Sequence, residues 1–144
     1  MSIPTVRDAM VPEPTTLAAD ASAQEAGRCF AESAEVRAIF VTEEGGRLLG
    51  VVTRKTLVRE VVAAGRDPGV VTLSEIAEPP NFTLDAGLEL EGAFRFLEEQ
   101  DLERVPVVEE GGRLVGVLSR AVVQRRLAED EQPEGELEPG SVVL

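Results

Sequence analysis

The chain repeats itself, and that repeat limits its folds more than any single residue does. Glu43-Glu44-Gly45-Gly46-Arg47-Leu48-Leu49-Gly50-Val51-Val52-Thr53-Arg54 returns as Glu109-Glu110-Gly111-Gly112-Arg113-Leu114-Val115-Gly116-Val117-Leu118-Ser119-Arg120, an offset of 66 residues with nearly every position conserved in type. At the same offset Glu25 matches Glu91, Phe30 matches Phe96 and Val36 matches Leu102. Further upstream the match needs a one-residue shift, with Val6-Arg7-Asp8 set against Leu73-Ser74-Glu75. The chain of 144 residues therefore divides into a first motif over 1–65, a second over 66–128 and a tail over 129–144.

Each copy reads as an extended piece (Thr15 to Leu17, Asn81 to Leu84), a helix, a strand, a Glu-Glu-Gly-Gly turn, a second strand and a last helix. Ser22 and Glu25 have the spacing of a helix-starting cap, in which side chains satisfy free backbone N–H groups. Ala23, Ala26, Phe30 and Ala34, and in the second copy Leu90, Ala93, Phe94 and Leu97, form apolar stripes at helical spacing. The strands are Ala38 to Thr42 and Leu48 to Val52, then Arg104 to Val108 and Leu114 to Leu118, with last helices near Arg54 to Ala64 and Arg120 to Ala128. The class is α+β, two β-α-β-β-α repeats. One unit of about 60 residues is marginal alone. A second copy across a pseudo-twofold axis supplies the missing partner surface and makes one compact module.

Composition excludes several functions. A net charge of −13 argues against nucleic acid and against an anionic membrane surface. The absence of His removes the commonest general base and metal ligand, and the single Cys29 forms no intrachain disulfide or zinc cluster. Neither a signal peptide nor a membrane span is read, which fits a cytoplasmic protein. The acidic pairs Glu43/Glu44 and Glu109/Glu110 are turn residues, so no metal site, no catalytic residue and no enzyme activity are expected. The tail, with six acids and no base from Glu129 onward, reads as a solvated extension, and Val142-Val143-Leu144 as an apolar end.

The run Leu102-Glu103-Arg104-Val105-Pro106-Val107-Val108, followed by Gly111 to Arg120, resembles a CBS motif, named after cystathionine beta-synthase. The first copy resembles it through Val6-Arg7-Asp8-Ala9-Met10 and Gly46 to Arg54. The whole is similar to a stand-alone tandem CBS pair, or Bateman module. The resemblance implies a regulatory module that binds an adenosine derivative (AMP, ADP, ATP or S-adenosylmethionine) in clefts between its motifs. It also implies a homodimer, a disc of four CBS motifs, that modulates an effector protein. It requires no cofactor. The strand residues Ile39, Val105 and Pro106 would face the adenine. Thr53 and Ser119, with Arg54, Lys55, Arg104 and Arg120, would reach phosphate. A ribose-holding Asp belongs at the end of a Ser/Thr-x-x-Asp motif, where this chain has Thr56 and Val122. Those two departures favour an alternative, a ligand-free dimerisation scaffold.

Overall fold

The computed structural model describes residues 3–12 and 14–131; most of the acidic tail, with Val142-Val143-Leu144, lies outside the described residues. The elements are α1 (Val6–Ala9), β1 (Val11–Pro12), β2 (Thr16–Ala18), α2 (Ala23–Glu32), β3 (Ile39–Thr42), β4 (Leu48–Val52), α3 (Arg54–Leu57), α4 (Leu73–Ile76), β5 (Leu84–Asp85), α5 (Leu90–Glu99), β6 (Arg104–Glu109), β7 (Arg113–Ser119) and α6 (Arg120–Glu131). Helix α3 continues as a π-helical stretch, Val58–Val62.

The two sheets are copies of each other. β2 pairs parallel to β3, and β3 antiparallel to β4; β5, β6 and β7 repeat this. Both hairpins carry a register irregularity at matching places, after Val41 and after Val107. Both close through two consecutive glycines at positive φ, Gly45 (85°) and Gly46 (86°), Gly111 (74°) and Gly112 (82°). A β-carbon is strained in that conformation, so the Gly-Gly pair follows from the turn.

Strand alternation sorts the side chains. Ile39 and Val41, with Val52, point into a core built with Ala23, Ala26, Phe30 and Val61. Val105, Val107 and Leu118 do the same with Leu90, Ala93, Leu97 and Val123. Phe40 and Pro106 fall on the opposite faces by the period of two.

Each core also contains a short helix from the other end of its neighbour. Val6 and Ala9 of α1 are buried in the second core, whereas Leu73 and Ile76 of α4 are buried in the first. The exchange is symmetric bond by bond. Val6 N donates to Leu88 O and Arg7 N to Ala86 O, while Leu73 N donates to Ala21 O and Ser74 N to Ala19 O. Beyond the helices, β1 runs antiparallel along β7, and Glu78 makes the matching bridge to Val51. These short helices were not read from the periodicity, because four residues are too few to display it.

The glycines of the repeated Gly-Val strand now have a cause. A β-carbon on Gly50 would lie 2.8 Å from Glu78 O and 2.9 Å from Ala77 Cβ. One on Gly116 would lie 2.7 Å from Met10 Sδ and 2.8 Å from Val11 O. The crossing segments lie directly on these strands.

One pairing differs from the sequence reading. Phe30 occupies the core position of Leu97, not of Phe96, since Ala23, Ala26 and Phe30 are buried as are Leu90, Ala93 and Leu97. The upstream one-residue shift thus persists through the helix. It is absorbed in the loop to the next strand, where Asp101 takes φ 54°. Ala34 lies beyond the end of α2 and is exposed.

Candidate functional site

The back faces of the two sheets, away from the cores, meet in a cleft of about 530 Å³. Phe40 and Val51 of the first repeat and their counterparts Pro106 and Val117 of the second form its apolar bed. Leu102, Phe82 and Val122 extend that bed on the side of the second repeat, and Val105 borders it from β6 although its side chain is buried in the second core. Phe82 is held edge-on against Phe96, with ring centroids 5.3 Å apart.

Six polar residues line the cleft, Thr15, Glu35 and Arg37 from the first repeat and Asn81, Arg104 and Ser119 from the second. Arg104 opens β6, Arg37 stands before β3, and Ser119 ends β7 beside α6; all three line the cleft. Neither Arg37 nor Arg104 makes an ion pair among the described residues, whereas Arg7, Arg59, Arg66, Arg113 and Arg120 do. Glu35 also lines the cleft, and the Ser33 hydroxyl donates to it at 2.7 Å, holding its carboxyl below the usual carboxylate range. The Ser119 hydroxyl accepts from Val122 N at 3.5 Å, a loose cap on α6 that leaves the hydroxyl free to bond elsewhere. The lining suits a flat apolar body that also carries an anionic group.

Of the ten residues singled out from the sequence, Arg104, Val105, Pro106 and Ser119 line this cleft. The other six lie outside its lining. Ile39 is buried in the first core. Thr53 caps α3, accepting from Thr56 N at 3.2 Å. Thr56 is 1% exposed, and its hydroxyl is shared between Thr53 and the Glu78 carboxylate at 3.0 Å. Arg54 reaches back to the end of α2, donating to the carbonyls of Phe30, Ser33 and Val36, with its guanidinium 4.8 Å from the Phe30 ring centre. A cation at a helix C-terminus satisfies carbonyls that the helix leaves open. Arg120, its counterpart, pairs with Glu103 and with Asp101, and these carboxylates raise its pKa further. Lys55 is exposed on the first turn of α3, and its charge is among those that lower the pKa of Glu78.

The strongest influences on Glu78 are Arg59, donating at 2.6 Å, and the Thr56 hydroxyl. The crossing segment thus delivers a carboxylate onto Thr56, where it is already neutralised. In the second repeat the equivalent crossing residue is Val11, which carries no charge and lines the open cleft.

Arg37, Glu35 and Asn81 in the cleft were missed in the sequence. Arg37 had a signal, since it precedes β3 almost as Arg104 opens β6.

The CBS domain family profile matches residues 6–63 and 73–129, most of the chain and both repeats. The chain belongs to the CBS domain family. Hypoxic response protein 1 of Mycobacterium tuberculosis is 33% identical over 95 residues, which cover 66% of this chain and 66% of that protein. This chain thus spans just under two thirds of that relative's length. A solved structure of Hypoxic Response Protein I with two coordinated zinc ions has TM-score 0.72 and 29% identity, covering 88% of this chain and 99% of that one. The cytosolic domain of the Mg2+ channel MgtE in complex with ATP has TM-score 0.65 and 27% identity, covering 83% of this chain and 47% of that one. The α+β CBS pair is thereby established. Among the described residues of this CBS pair, no three His, Cys, Asp or Glu side chains cluster as metal ligands do, and no helix is long and apolar enough to cross a membrane.

Proposed function

We propose that this CBS pair is a regulatory, non-catalytic module of the cytoplasm that binds one adenosine-type nucleotide in the cleft beside Arg104 and modulates a partner protein. The observation that carries this is a cleft whose apolar bed is drawn from both repeats and whose lining includes Arg37 and Arg104, neither in an ion pair among the described residues. Phe40, Pro106 and Val117 take the base, while the two guanidiniums and the Ser119 hydroxyl take phosphate. The ATP complex of the MgtE cytosolic domain supports the ligand class. Val122 offers methyl groups where a carboxylate would grip the ribose, so the phosphate end supplies most of the affinity. ADP and ATP therefore bind more tightly than AMP, and S-adenosylmethionine, which carries a positive charge, binds least. Because the bed joins both repeats, a ligand that fits one relative position better shifts the population toward it, and a partner protein reads that shift. The functional unit is a homodimer.

Titration calorimetry with AMP, ADP, ATP and S-adenosylmethionine tests this reading. We expect one site per chain, and a loss of at least tenfold in affinity on Arg104→Ala. The missing carboxylate at Val122 favours a second reading, a scaffold with no nucleotide. Its signature is an intact assembly whose melting temperature no nucleotide moves.

A further inference from the structure

Thirteen residues, 132–144, follow α6 outside the described residues, and their chemistry is unlike that of the body. They hold three acids (Glu134, Glu136 and Glu138), no base, and an apolar run, Val142-Val143-Leu144. The other 131 residues hold 14 bases and 24 acids, a net charge of −10. Such a body repels an acidic segment over most of its surface. The cleft is an exception. Its charged lining is Arg37, Arg104 and Glu35, a local excess of one positive charge, and neither guanidinium is in an ion pair among the described residues. The same lining includes the apolar bed of Phe40, Pro106 and Val117. Cations and apolar surface thus occur together in the cleft, as anions and an apolar run occur together in the tail.

Reach allows the contact. Ser119 lines the cleft and is followed at once by α6, whose 12 residues carry the chain about 18 Å along the helix. Thirteen extended residues span up to about 43 Å, more than the return distance. A tether of this length holds the segment near the cleft at roughly millimolar effective concentration, so weak contacts suffice to fill it. The family profile ends at residue 129, so the tail is an addition to the shared fold.

We propose that residues 132–144 dock in the cleft of their own chain, with carboxylates on Arg37 and Arg104 and the apolar run on Phe40, Pro106 and Val117, and that ATP must displace them. The tail thereby sets the nucleotide concentration at which the module responds. The competition rests on the nucleotide site of the proposed function, whereas the docking does not.

Two measurements on the full chain test this. In calorimetry with ATP, the combined Glu134→Gln, Glu136→Gln and Glu138→Gln variant is expected to bind about threefold or more tightly than wild type. The combined Val142→Ser, Val143→Ser and Leu144→Ser variant is expected to gain by a similar factor. It keeps every charge, so its gain does not come from weaker general repulsion of ATP. In a Cys29→Ser background, a nitroxide on Ser141→Cys is expected to broaden the amide resonances of Phe40, Arg104 and Ser119, and ATP to restore them. Unchanged ATP affinity in both variants, with no broadening at the cleft, would overturn the proposal and leave the nucleotide site standing. Broadening at the cleft with no ATP binding to any of these chains would overturn the nucleotide site and the competition, and leave the docked tail. Broadening of an isotope-labelled chain by a nitroxide on a second chain would assign the tail to another copy and overturn the internal contact.

Discussion

Thr56 and Val122 hold the same place in the two repeats, and their surroundings differ in kind. The Thr56 hydroxyl is committed to Thr53 and Glu78, and Glu78 in turn to Arg59. Around Val122 the groups face a cleft, and Arg37 and Arg104 there have no partner carboxylate among the described residues. The residues that open each last helix diverge similarly. Arg54 locks onto three backbone carbonyls, whereas Arg120 holds only exposed carboxylates. A repeat that duplicates a fold need not duplicate a site. Backbone geometry is repeated through buried positions, while the cleft depends on a few charges that the two halves do not share.

The largest effect should come from what the halves share. Gly50→Ala and Gly116→Ala each push a β-carbon against a crossing segment and should cost about 1–3 kcal/mol in chemical denaturation. Gly50→Ala should cost more. Its obstacles are a carbonyl and a β-carbon, while part of the obstruction at Gly116 is the flexible end of Met10. Equal and negligible costs would mean that the exchanged segments are not seated as described.

Arg54→Ala and Arg120→Ala should then separate the halves. Losing Arg54 uncovers three carbonyls and one face of Phe30, and should cost roughly 1–2 kcal/mol. Losing Arg120 removes ion pairs to exposed carboxylates, and melting should barely change. Reversed costs would sink the assignment of Arg54 to the end of α2.

The smallest effect is a pH dependence. The carboxyl of Glu78 is held below its ordinary value of 4.5, chiefly by Arg59 and Thr56. A depressed folded pKa contributes stability above the unfolded pKa, and that stability is lost as pH falls through the folded value. Half-exposed as it is, the group is worth roughly 0.5 kcal/mol after solvent screening. Glu78→Gln should therefore be slightly less stable than wild type at pH 7, with the gap closing below pH about 4. A gap that persisted in acid would assign the effect to shape and not to charge.

Much of the fold was legible because it follows from short-range rules. The Glu-Glu-Gly-Gly turns, the alternation of Ile39-Phe40-Val41 and the Ser22 cap act within a few residues. The exchange of α1 and α4 was not legible, because nothing local says which core receives Val6 or Leu73. The repeat shift at Val6 and Leu73 was visible, yet its extension through α2 showed only in burial. For the site, Arg104, Val105, Pro106 and Ser119 were named from the motif. Arg37 and Glu35 come from the other repeat, and their place in the cleft depends on how the two sheets face each other. The commitment of Arg54 to the carbonyls of Phe30, Ser33 and Val36 likewise spans 18 to 24 residues of sequence.

The proposed function requires a working cleft in one half of the molecule. Calorimetric titration of ATP into the wild type, Arg104→Ala and Lys55→Ala tests it most directly. One site per chain is expected, weakened at least tenfold by Arg104→Ala and unmoved by Lys55→Ala. Two sites per chain, binding that depends on Lys55, or no heat at any concentration up to the millimolar range would contradict it.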